Sequence, residues 1–193
     1  TETLTGTLIR GGINCTITIR NSKLVGDTVI EGALNTTITL ENSTIEGRLM
    51  GIDLETNNKL YVRGKSLIKG QNAAIRGAVN AEVEIDGGEI IGVIKGIDGN
   101  NNLKVRASNA LIKGEHAAIS ASTNSRITLT NARIEGKIAG IDVGNNARIT
   151  GSGGHIKGEN NSLKIGRNAE ISLSGTKVTG RKSIGRNSNV VGL

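Results

Sequence analysis

Apolar and polar residues alternate in short bursts along this chain, as at Ile17/Ile19, Ile38/Leu40, Val83/Ile85, Ile127/Leu129 and Ile171/Leu173. A period of two belongs to strands, and no window of 11 or more residues keeps the helical period of 3.6. Each burst is followed by a short polar turn, one more aliphatic residue and a glycine. The closing glycines are Gly26, Gly47, Gly70, Gly92, Gly114, Gly136, Gly158 and Gly180, spaced by 21, 23 and then 22 residues. Two residues before them stand Leu24, Ile45, Ile68, Ile90, Ile112, Ile134, Ile156 and Val178. A further aliphatic follows each glycine by four or five residues, from Ile30 to Ile184. The repeat therefore predicts three short strands and three corners per unit. One such coil cannot bury its inner face, but stacked coils can. The expected architecture is all-β: a parallel β-helix (β-solenoid) of about 8 coils of ~22 residues, with strands ~4.8 Å apart between coils.

A second column runs through the repeat. Twelve residues before each closing glycine stands an asparagine: Asn14, Asn35, Asn58, Asn80, Asn102, Asn124, Asn146 and Asn168. At matching corners each side-chain amide can donate to one neighbour and accept from the other. Such an Asn ladder is expected to satisfy polar groups that a tight corner would otherwise bury, each costing about 1–3 kcal/mol if unpaired. Asparagine and glycine also suit corners where φ is positive.

With this ladder, and with segments such as Ile19-Arg20-Asn21-Ser22-Lys23-Leu24-Val25-Gly26 and Leu40-Glu41-Asn42-Ser43-Thr44-Ile45-Glu46-Gly47, the chain resembles the right-handed parallel β-helix family of the pectate-lyase-like class. The resemblance spans residues 4–192 and implies architecture, not activity; right-handed crossovers are also the general rule for parallel strands. A non-catalytic member is expected. Residues 1–193 read as a single domain. The chain starts at Thr1 without methionine, as expected of a processed product or an excised part of a longer solenoid.

From residue 48 the coils alternate in type. Gly51-Ile52-Asp53, Gly96-Ile97-Asp98 and Gly140-Ile141-Asp142 mark one type; Ala73-Ala74-Ile75 and Ala117-Ala118-Ile119 mark the other. Leu60/Val62, Leu103/Val105 and Ile149 on alternate coils predict a bulge or shifted corner there. Composition sharpens the picture. The chain has no Phe, Trp or Pro and a single Tyr, so the interior must be Ile, Leu, Val and Ala, which suits a narrow solenoid. Nearly every strand is central and must donate to both neighbours, which excludes proline. Cys15 stands alone, expected as a small buried residue, and no disulfide can form within the chain. No run approaches the ~18 apolar residues of a membrane span.

Chemistry is harder to find. The outward columns beside the pre-glycine aliphatic bring no two carboxylates together as an acid and base would need. His116 and His155 lack metal-ligand spacing. Asp98-Gly99-Asn100-Asn101-Asn102-Leu103 starts like a calcium loop but lacks its later glycine and acid. No catalytic residue, metal ligand or cofactor is assigned. Net charge is +7, and Lys69, Lys113 and Lys157 recur on every second coil, with Arg133 and Lys177 nearby. That row is the candidate anion-binding site, suited to an acidic polysaccharide. Nucleic acid is disfavoured, because stacking aromatics are missing and Glu46, Glu89 and Glu135 interrupt the basic residues. Neither end carries an amphipathic helix to cover the last strands, and open strand edges are templates for another chain. The leading expectation is thus a structural, self-assembling rod: a filament or fibre shaft, extracellular or at a cell surface. The alternative is an acidic-polysaccharide-binding β-helix, with a carbohydrate lyase or hydrolase relative third.

Overall fold

The computed structural model describes residues 6–193. Thr1–Thr5 lie outside the described residues. Within them are 22 strands and no helix. All strand pairings are parallel, and the strands stack as a β-solenoid of about 8 turns. Each coil has three faces. The first face is one nine-stranded sheet: Thr16–Arg20, Thr37–Glu41, Lys59–Arg63, Glu82–Asp86, Lys104–Ser108, Arg126–Thr130, Arg148–Ser152, Glu170–Ser174 and Asn189–Val191. The second face holds the segments ending in the closing glycines, such as Leu67–Gly70 and Arg133–Gly136. The third holds strands such as Ala73–Gly77 and Ala139–Val143. The second and third faces join into a 13-stranded sheet because Lys23–Gly32, Thr44–Leu54, His155–Ile165 and Lys177–Ile184 run through the corner between them.

Alternation decides what faces inward. Along Arg126–Thr130, Ile127 and Leu129 are buried while Arg126 and Thr130 are exposed. Isoleucine stacks on isoleucine: Ile68, Ile90, Ile112, Ile134 and Ile156 on the second face, and Ile52, Ile75, Ile97, Ile119 and Ile141 on the third, all fully buried. Each such side chain contributes roughly 1.5–3 kcal/mol by leaving water. Of the bulge or shifted corner expected on alternate layers, only coil 3 has a shifted corner, after Arg63, and no strand is bulged there: Lys59–Arg63, Lys104–Ser108 and Arg148–Ser152 pair residue for residue with their neighbours. Side-chain size compensates instead. Leu103 is buried at the corner, and a methyl group at Gly99 would overlap it. The observed shifts lie at the second-to-third corner, between Gly26 and Thr28 and between Lys157 and Leu163.

The three corners are built differently. Positive φ at the first corner comes from Asn14, Asn35, Asn57, Asn80, Asn102, Asn124, Asn146, Asn168 and Asn187. At the corner between first and second faces it comes from Asn21, Asn42, Asn109 and Asn131, and elsewhere in that column from Gly64, Gly87, Gly153 and Gly175. The closing glycines have a different reason. Among them only Gly180 has positive φ. At Gly47, Gly70, Gly92, Gly114, Gly136 and Gly158 an added Cβ would overlap the carbonyl oxygen three residues on. The corner is too tight for any side chain, whatever its φ.

Counting back from the glycine misplaces one rung. Coil 3 carries an extra residue: Gly64-Lys65-Ser66 occupies the corner that Gly87-Gly88 fills one coil later, so Arg63 pairs with Asp86 but Leu67 with Glu89. The rung is therefore Asn57, with φ 59°, and not Asn58. Asn58 points into the core with no exposed surface. Its Oδ1 accepts from the Thr36 N–H at 2.6 Å, and its Nδ2 donates to the Gly32 carbonyl at 2.9 Å. Cys15 is half-buried, 3.7 Å from Thr36 Oγ1.

Candidate functional site

The expected asparagine ladder forms, with Asn57 in place of Asn58, and it lies on the solvent side of its corner. Nδ2 of Asn35 donates to Oδ1 of Asn14 at 2.9 Å, Asn80 to Asn57 at 2.8 Å and Asn102 to Asn80 at 2.9 Å. Asn146 donates to Asn124 at 3.1 Å and Asn168 to Asn146 at 3.3 Å. Most of these residues are exposed. The backbone needs no side-chain help there: the N–H of Asn124 donates to the Asn145 carbonyl at 3.0 Å, and the other rungs do the same one coil on. What asparagine supplies is the left-handed backbone, plus a row of amides with hydrogen-bonding capacity to spare.

The Lys69/Lys113/Lys157 row lies along one outward column of the second face. The register runs Glu46, Lys69, Ile91, Lys113, Glu135, Lys157, Thr179. The column largely neutralises itself. Lys23 and Lys69 flank Glu46 at 3.0 and 3.4 Å. Glu135 accepts from Lys113 at 3.0 Å and from Arg133. Burial pushes the Glu135 carboxyl up, but Lys113 and Arg133 outweigh this and hold it below its ordinary range. At the far end of the same face, His155 Nε2 lies 2.8 Å from Thr179 Oγ1, and Lys177 pairs in register with His155. The third face is compensated as well. Asp53 is almost buried and is gripped by both Nε and an NH₂ group of Arg76; Lys95 meets Asp98 at 2.7 Å and Lys164 meets Asp142 at 2.9 Å.

The first face differs. Its leading outward column reads Thr16, Thr37, Lys59, Glu82, Lys104, Arg126, Arg148, Glu170. Three cations in succession, Lys104, Arg126 and Arg148, stand one strand spacing apart. Arg148 pairs with Glu170 beyond them, while Glu82 at the other end is taken by Arg106. The Arg106 hydrogen bond holds the Glu82 carboxyl below its usual value. The signal was present in the sequence. The same offset that gives Lys59, Glu82 and Lys104 leads on to Arg126 and Arg148.

Among the described residues no group of His, Cys, Asp or Glu could hold a metal ion. The surface depressions along the coils are open to solvent. The chain matches no known protein family, no curated protein and no solved structure. Fold and surface together define the class: a β-solenoid repeat protein whose side-chain chemistry is arranged in columns along its axis.

Proposed function

We propose that this chain is a structural rod, a rigid β-solenoid that extends along its axis by stacking on further copies or as the shaft of a longer surface fibre. The observation that carries this reading is the constancy of the coil. Parallel register persists from Thr16–Arg20 to Asn189–Val191 over about 40 Å at one strand spacing per coil, with one-residue adjustments in the early coils and a shortening at the last corner, where Lys157 pairs with Thr179 but Leu163 with Lys182. Among the described residues no connection between strands is long enough to wall a cleft. Columns of isoleucine inside and of ion pairs outside tie each coil to the next, which gives axial stiffness without any chemistry.

The edges favour extension. Among the described residues Asn189–Val191 pairs with Glu170–Ser174 alone, and Thr16–Arg20 with Thr37–Glu41 alone. Such edges accept a further strand. Charge sets the condition. Lys177, Arg181, Lys182 and Arg186 are exposed on the last turn, while Arg10, Arg20 and Lys23 on the first pair with Glu31, Glu41 and Glu46. The basic last turn and the net charge of +7 oppose the approach of a further copy, and salt screens that repulsion over a Debye length of about 10 Å at 0.1 M. Negative-stain microscopy and sedimentation of concentrated protein test the reading. Stacks or fibres that lengthen as salt rises are expected; monodisperse monomers at low and high salt alike would overturn end-to-end assembly.

A further inference from the structure

The corner between the second and third faces begins just after each closing glycine, and the second residue beyond the glycine forms an outward column: Leu49, Asn72, Ile94, His116, Ile138, Asn160. Aliphatic and polar side chains alternate along it. Leu49, Ile94 and Ile138 are 48%, 43% and 40% exposed, and Val93 beside Ile94 is 44% exposed. Single exposed aliphatics are ordinary on a protein surface, but these recur on every second coil, ~9.6 Å apart at one strand spacing per coil. Between Ile94 and Ile138 lies an open depression of about 280 Å³, lined also by Glu115, His116 and Lys137. The column one residue earlier reads Arg48, Gln71, Val93, Glu115, Lys137, Glu159. Among the described residues Glu115, Lys137 and Glu159 enter no ion pair, whereas Glu46, Asp53, Glu135 and Asp142 on the flat faces all do. The corner thus presents aliphatic knobs, a socket between two of them, and unpaired charges of both signs.

From this juxtaposition we propose that a second copy of the chain packs side by side on this corner, antiparallel, about a two-fold axis that passes between the coils of Ile94 and His116. Reversed, the column is its own complement. Across the two copies Ile94 enters the depression opposite His116, Ile138 faces Asn72 and Leu49 faces Asn160, so every knob meets a gap. The neighbouring column reverses equally well. Arg48, which also holds Asp27, faces Glu159, while Lys137 faces Gln71 and Glu115 faces Val93, with no like charges opposed. A parallel pair in register would set aliphatic on aliphatic and each charge against its own copy, which is destabilising. A lipid surface calls for cations beside the aliphatics, and here Glu115 and Glu159 flank Lys137. A two-fold contact of this kind closes at two copies. It adds breadth, not length, and does not depend on end-to-end stacking. The contact runs ~24 Å along the axis and is one corner wide. That places it among small, transient interfaces, below about 1,200 Å², with association in the micromolar to millimolar range.

Small-angle X-ray scattering and sedimentation of the whole chain, from roughly 10 µM to 1 mM, test the proposal. Dimers are expected whose cross-section grows while their length stays that of one chain. Ile94→Ser with Ile138→Ser should weaken pairing at least ~10-fold and keep the strand signal in circular dichroism. Leu34→Ser, at an exposed aliphatic on another corner, should change pairing less than about twofold. Glu159→Arg, which opposes Arg48, should weaken it. For the register, Leu49→Cys and Asn160→Cys chains, each also carrying Cys15→Ser, are mixed and oxidised. Cross-links joining one of each kind are expected to outnumber those joining like with like. Monomers at about 1 mM would overturn the proposal. So would assemblies that only lengthen, the sign of end-to-end stacking alone, pairing unchanged in the double serine variant, or cross-links mainly between like chains. Binding to phosphatidylcholine–phosphatidylglycerol vesicles that the double serine variant loses would assign the row to a lipid surface and overturn it as well.

Discussion

Gly92→Ala tests whether the glycine column exists for space. The new methyl group would overlap the Lys95 carbonyl oxygen, so that carbonyl must retreat by about 1.5 Å or more to reach ordinary contact. It cannot do so alone. The Val93, Ile94 and Lys95 N–H groups donate to Gly70, Gln71 and Asn72 at 2.9, 2.9 and 3.1 Å, and the Val93 and Ile94 carbonyls accept from Glu115 and His116 at 3.0 and 2.8 Å. Losing about three of these bonds at roughly 1 kcal/mol each, against the smaller gain from replacing glycine, predicts a loss of roughly 2–4 kcal/mol. For a chain of this size that lowers the thermal midpoint by roughly 5–15 °C. Gly26→Ala is the control. Its nearest neighbour would be Leu8 Cβ at 3.4 Å, an ordinary contact, because one residue fewer separates Gly26 from the third face. Circular-dichroism melts and urea titrations of both variants check this. Equal behaviour, with both within about 0.5 kcal/mol of the parent, would refute a steric origin for the column.

Asn124 has φ 57° and accepts a rung bond from Asn146, so Asn124→Ala should cost about 1–2 kcal/mol and Asn124→Gly clearly less in urea titrations; equal costs would mean that the amide bond, not the backbone, is what matters. Stability should be flat above about pH 5 and fall below it. Glu82, held down by the Arg106 hydrogen bond, and Glu46, held down by that of Lys23, have folded-state values below their ordinary 4.5, so protonation favours the unfolded chain and their contribution is lost as pH falls. Thermal midpoints that rise between about pH 5 and pH 3 would contradict the assignment, and Arg106→Gln should flatten the acid limb.

The repeat was legible because every coil must solve the same problem. Isoleucine columns and closing glycines recur at fixed offsets, and from them coil number, parallel stacking and three faces follow. What the sequence hid was where one extra residue is absorbed. Gly64-Lys65-Ser66 lengthens one corner, and a count anchored at Gly70 then selects buried Asn58 instead of Asn57. The reason for the closing glycine was also hidden, because a close carbonyl and a positive φ select the same residue. The acid–base columns were readable as columns. Their pairing was not, since the neutralisation of Lys69 and Lys113 by Glu46 and Glu135 depends on side-chain reach. The succession Lys104, Arg126, Arg148 on the first face needed the register to be seen as one column.

That lengthened corner has a consequence of its own. Asn42 Oδ1 accepts from the Lys65 N–H at 3.1 Å and spans the detour, while the strands before and after keep their partners. A change of chain length is thus confined to one bend of one layer. New segments, such as an epitope or a fluorophore-bearing loop, could be spliced in between Gly64 and Ser66, leaving the layers on either side undisturbed.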